Sequence, residues 1–188
     1  MNANEIKYEA LRELGYTEEP DFNSDEDNAV NAMNGSYPLV YKLTLTSFDW
    51  SFAKRKDGLV RMENEGKFKY RYLLPNKLLY IRGLYSDVNF NTTVERFERN
   101  AGVIYTDSPE LYIVYTTEID EEDLPPYFIE YFVYALARRN CTKITGNRDL
   151  LQEMMQNEQV AYSVAKNTDI KQQEVRILPT GAFTDVRD

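Results

Sequence analysis

A chain of 188 residues with a net charge of -9, no histidine and one cysteine cannot build a Ser-His-Asp triad, a Cys-His pair, a His-based zinc site or an internal disulfide. Its 43% hydrophobic and 28% charged residues fit one soluble globular domain, with an aromatic surplus of 15 Tyr and 9 Phe that favours packing surfaces. Glu130 interrupts the longest apolar run and the amphipathic start MNANEIKYEALREL has no signal-peptide core, so a cytoplasmic chain without a membrane span is expected.

In chain order, Ile6, Ala10, Leu11 and Leu14 fall at helical spacing and predict a helix over Asn4 to Leu14, stopped by Gly15. An acidic run from Glu18 to Asp27 follows. Val30, Met33, Tyr37, Val40, Tyr41, Thr44 and Phe48 then predict a second helix, bent or broken near Tyr37 and Pro38, with Gly35 a further weakness. Trp50 and Phe52 close this segment ahead of the basic Lys54, Arg55 and Lys56.

From Leu59 to Thr117 the period shifts toward two, predicting a small antiparallel sheet. KFKYRYLL alternates basic and aromatic residues, Asn100-Ala101-Gly102 is a hairpin signal, and LYIVYTT reads as a buried strand. A second acidic run, Glu118 to Asp123, leads to Pro125 and Pro126, which suit a helix start because the missing amide hydrogens belong to its unsatisfied first turn. That helix is expected to end near Arg139. Its apolar residues, among them Tyr127, Phe128 and Phe132, leave almost no polar side, and a helix hydrophobic all round must be buried all round.

A last helix is expected over Asn147 to Asn167, capped by Asn147, with Leu150, Leu151, Met154, Met155, Ala161, Tyr162 and Ala165 as one stripe. From Thr168 the chain is polar and unpatterned except for VRILPTGAF. The fold class is α+β: a helical bundle made by residues 1–58 and 118–167, an antiparallel β insertion at 59–117, and an extended C-terminal arm at 168–188. Trp50, Phe52, Tyr127, Phe128 and Phe132 are the expected structural anchors.

The acids do not form a metal loop, since no DxDxDG-type stretch with a closing Glu occurs, and each run is explained by negative charge near a helix N-terminus. A Walker lysine loop and a GxGxxG are also lacking. No cofactor, metal or catalytic residue is expected. Two alternatives stay open: a nucleic-acid-binding module using the basic and aromatic strand Lys67 to Tyr72, and a carboxylate-dependent enzyme. Alternation puts Lys67, Lys69 and Arg71 on the face opposite Phe68, Tyr70 and Tyr72, which suits a half-buried strand better than a stacking platform.

The order of the segments resembles that of phage head-to-tail adaptors of the tail tubular protein A group. NAVNAMNGSYPLVYKLTLTSFDWSFAKRKDGL is similar to the long family helix with its aromatic ending. YRYLLPNKLLYI, GVIYTDSPELYIVYTTEID, LPPYFIEYFVYALARR and KITGNRDLLQEMMQNEQVAYSVAKNTD then follow in the family's order, over roughly Ile6 to Asp169. Gly35 and the Thr-rich stretch Thr44 to Thr46 depart from the family's Ala- and Arg-rich helix. The resemblance implies a non-enzymatic virion protein that forms a ring, twelve copies in the family, between the portal protein and the tail nozzle or tail tube, with DNA passing through the channel. It also implies assembly in a bacterial host cytoplasm and a C-terminus directed toward the portal. Arg176, Ile177, Leu178, Phe183 and Arg187 are then the expected contacts of the arm with the portal or a neighbouring subunit. The other reading is that these apolar residues fold back on the subunit's own bundle.

Overall fold

Asn2 begins the first helix because its side chain accepts from the backbone N–H of Asn4 and Glu5 while Glu5 reaches back to the Asn2 N–H, a reciprocal capping box. The computed structural model describes residues 1–24 and 26–172. Helix α1 spans Ala3–Glu13 and ends at Gly15 in the left-handed region, φ 96°. Helix α2, Asn28–Thr46, is capped by the Asp27 carboxylate, which accepts from Ala29 N–H at 2.7 Å. It is not broken at Pro38. Val30, Met33, Tyr37, Val40, Tyr41, Thr44 and Leu45 are buried along one side, and Tyr37 and Tyr41 meet the Phe132 ring at 5.2 and 5.4 Å. Tertiary packing of that side holds the helix through the proline, which lies with Gly35 on the exposed side. Phe48 falls beyond the helix end, half-buried, and stacks edge-on against Trp50.

Helix α3, Pro126–Thr145, runs past Arg139 to a left-handed Gly146. Asn140 and Cys141 are buried in this extra stretch, and the Asn140 amide donates to Ser36 Oγ at 2.7 Å and to the Leu136 carbonyl at 2.9 Å. Helix α4, Arg148–Gln172, starts on the Asn147 side chain and continues beyond Asn167. Thr168 to Gln172 are therefore helix and not the start of an extended arm. The remainder of that expected arm lies outside the described residues.

α3 packs against α1, α2 and α4 at once, and this explains its composition. Phe128, Phe132, Leu136, Ala137 and Cys141 have no exposed surface, because three helices wall them in.

The middle of the chain forms two antiparallel sheets instead of one. The first has the order β1-β7-β4, with β1 Lys54–Gly58, β4 Leu78–Tyr85 and β7 Tyr112–Thr117; the second has the order β2-β3-β6-β5, with β2 Arg61–Glu63, β3 Tyr70–Leu73, β5 Phe97–Asn100 and β6 Val103–Thr106. β1 begins before the expected start of the sheet at Leu59. The β5–β6 turn carries positive φ at both Ala101 (41°) and Gly102 (85°), the geometry of a two-residue type I′ hairpin. A second, smaller core of Tyr72, Leu84, Ile104, Leu111, Ile113 and Tyr115 draws on both sheets and is separate from the core of the bundle. Arg82 ties β4 to the end of α2, donating to the Phe48 carbonyl at 2.5 Å and to Thr116 Oγ1 at 2.9 Å, and lying 3.5 Å from Asp49.

Candidate assembly interface

The aromatic residues singled out in the sequence converge where the end of α2 meets α3 and α4. Trp50, 1% exposed, is ringed by Phe48, Phe52, Phe128, Tyr131 and Tyr162, and its indole N–H donates to the Thr44 carbonyl at 2.9 Å. Phe52 is half-buried and meets Phe128 edge-on at 5.0 Å. Phe128 and Phe132 have no exposed surface.

Tyr127 does something the sequence did not indicate. Its hydroxyl donates to Asp169 Oδ1 at 2.9 Å, and the same carboxylate accepts from the Ser51 N–H at 2.9 Å and the Ser51 hydroxyl at 2.7 Å. Asp169 is wholly buried, so one carboxylate locks together the segment after α2, the first turn of α3 and the last turn of α4. Burial pushes the Tyr127 hydroxyl far above its ordinary pKa, with the bond to Asp169 adding to the shift. A signal for this lock exists in the sequence, since Asp169 continues the spacing of Ala161 and Ala165 on the buried side of α4.

The acidic run Glu118 to Asp123 also has a structural use beyond the start of α3. Glu118 lies 3.9 Å from Lys42, Asp120 pairs with Lys77 at 3.1 Å, and Glu121 accepts from the Tyr37 hydroxyl at 3.3 Å. Burial drives the Tyr37 pKa far upward and the neighbouring Glu121 charge reinforces it.

The basic and aromatic stretch Lys67 to Tyr72 is a strand only from Tyr70 onward. Lys67 and Lys69 lie in the preceding turn, where Lys67 pairs with Glu98. Phe68 and Tyr72 are buried, and Arg71 is exposed on the opposite face of β3. Among the described residues no group of three His, Cys, Asp or Glu is placed to hold a metal ion, and no helix is long and apolar enough to cross a membrane.

The outward face of α2 is short of charge, and α4 sets exposed valines in a mostly polar outward face. α2 carries one charge, Lys42, in 19 residues, although 28% of the whole chain is charged. Its exposed side presents Gly35, Leu39 and Leu43, with Leu39 50% and Leu43 58% exposed. α4 presents Val160 and Val164 one turn apart, 63% and 49% exposed. Both helices pack on α3, so the chain presents exposed apolar residues on two different helices. Sequence periodicity found the buried sides of these helices and said nothing of the outer ones. Arg176, Ile177, Leu178, Phe183 and Arg187 lie outside the described residues. No protein-family model matches the chain, and no curated protein matches it.

Proposed function

We propose that this chain is a structural head-to-tail adaptor of a tailed phage particle, without catalytic activity. Copies of it form a ring, of twelve by the resemblance, between the portal protein and the tail nozzle or tube, and DNA passes through the ring without sequence-specific binding. The observation that supports this reading is the pair of outward strips, Leu39 and Leu43 on α2 and Val160 and Val164 on α4. An apolar surface left open on one copy calls for a protein partner. Two unlike strips on one subunit fit a head-to-tail contact, the kind that closes into a ring when the rotation between copies allows it. The order of segments from Ile6 to Asp169 supports the same assignment, and the net charge of -9 suits a channel along which phosphates must slide and not adhere.

The test is reconstitution with the portal protein of the same particle, viewed by negative-stain electron microscopy. The expected image is a ring of added density on one end of the portal. A variant with both Leu39→Glu and Leu43→Glu should keep its circular dichroism and fail to add the ring. Absence of portal binding by the unaltered protein, or a normal ring from the double variant, would overturn the proposal.

A further inference from the structure

The chain divides its charge along its length. Residues 54–117, which span both sheets, hold 11 Lys and Arg against 8 Asp and Glu, a net of +3, while the whole chain stands at -9. The residues before and after them therefore carry -12 between them. Two copies of such a chain attract each other β unit to bundle and repel each other bundle to bundle.

Each half also has an apolar surface that the described residues leave open. On the bundle, a groove of about 530 Å3 runs between α1 and α3 over Ile129, Val133 and Tyr134, with Glu13 of α1 and Glu130 of α3 lining it. Neither carboxylate makes a salt bridge among the described residues. The field in the groove is negative: burial raises the pKa of the Tyr134 hydroxyl, and the charges of Glu13, Glu130 and Glu153 raise it further.

On the β unit, β3 turns Tyr72 into the small core and Arg71 and Leu73 to the opposite face. Strand pairing sets Met62 and Tyr105 on either side of Arg71, and Val103 beside Leu73. Leu73 is 55% exposed, and Met62, Val103 and Tyr105 are half-buried. Arg71 is exposed and makes no salt bridge among the described residues, while Glu98, next to Tyr105 on the same face, is paired with Lys67. The face is thus apolar around one open cation. It suits a nucleic-acid backbone poorly, since that needs several cations in a row, and it matches an apolar groove that carries two open carboxylates.

We propose that the groove between α1 and α3 is a docking site for a second copy of this chain, whose outer sheet face enters with Leu73 over Ile129 and Val133 and with Arg71 toward Glu13 and Glu130. Apolar contact supplies the attraction, and the divided charge decides which surfaces meet. Because the two surfaces differ, the contact runs head to tail. It is made between copies alone and holds with or without a portal; on the adaptor reading it is a second contact beside the one assigned to α2 and α4.

The test uses the full chain with p-benzoyl-phenylalanine in place of Leu73, mixed with an isotopically labelled chain that lacks the probe. After irradiation, a product of two chains should join residue 73 of the one to labelled peptides of α1 or of the first half of α3. Arg71→Glu in the probe chain should lower the yield by about fivefold, the scale of a few exposed charge contacts, and so should Glu13→Lys with Glu130→Lys in the labelled chain. Combining the two altered chains should restore it, which neither misfolding nor a general loss of charge can do. No two-chain product at high protein concentration, crosslinks to other regions, or failure of the combined charge reversal to restore the yield would each overturn the proposal. None of these outcomes bears on portal binding, which the reconstitution above decides separately.

Discussion

Asp169 is wholly buried, yet it carries no cost of an unpaired charge, because Ser51 and Tyr127 bring three donors to its two oxygens. Replacing it by Ala would leave the Ser51 N–H and hydroxyl without this acceptor and the Tyr127 hydroxyl with only the longer contact to Gln172 at 3.4 Å. Asp169→Ala should cost about 2–3 kcal/mol, read as a lower urea midpoint at unchanged slope. A silent substitution would show that water takes over the same bonds. The lock escapes a hydrophobicity count, in which an Asp ends an apolar stripe, although Asp169 keeps the helical spacing of Ala161 and Ala165. Trp50 was legible for the opposite reason. A single Trp at the end of an apolar helix has so much surface to bury that burial follows from its size alone.

Each helix was legible on its buried side, and its ends were legible where a cap or a glycine marks them. The Asn147 start and Gly15 stop are of this kind, whereas α3 outran its expected end because Asn140 is polar in sequence but hydrogen-bonded and buried in place. β1 gave no signal. Lys54 to Gly58 has no apolar alternation, and it becomes a strand through backbone pairing with β7, a partner more than fifty residues away. For the same reason the division into two sheets was not readable, since strand pairing is decided across the chain and not along it. The outward apolar residues were not readable either, because an exposed Leu in a helix has the same sequence pattern as a buried one. Gly35 provides a test at this scale. A Cβ added there meets nothing within 4 Å and the residue is in the interior of a helix, so Gly35→Ala should stabilise the protein by about 1 kcal/mol. The melting temperature should rise; a fall would mean that the backbone at Gly35 is not that of an ordinary helix.

At the scale of the whole molecule, the aromatic surplus ties stability to pH. Burial holds the hydroxyl pKa of Tyr37, Tyr41 and Tyr127 far above the ordinary value, and burial with a hydrogen bond to Asp57 pushes Tyr115 up to about 12. Above about pH 10 an unfolded chain releases these protons while the folded one keeps them. The folded state then binds more protons, so its stability is complete below about pH 10 and is lost as the pH rises toward the folded values. Lys7 acts in the other sense, since burial lowers its pKa and favours the folded state as that proton leaves, but it is one group against several. The urea midpoint should fall between about pH 8 and about pH 11, with tyrosinate absorbance appearing together with unfolding. Tyrosinate absorbance without unfolding would refute this account. The bundle also has a consequence for the order of events during synthesis. Its two halves, Ala3–Thr46 and Pro126–Gln172, flank the two sheets. On a ribosome adding about 5–20 residues per second, α1 and α2 therefore emerge roughly 4–16 s before α3 begins to appear. Throughout that interval Val30, Met33, Tyr37 and Leu45 have no α3 to cover them, and at its end, once β7 has been made just ahead of α3, the strands can close on a core of their own. The nascent chain thus passes through a stage with a finished β unit and an unfinished bundle, and this is when a holding chaperone would have most to grip.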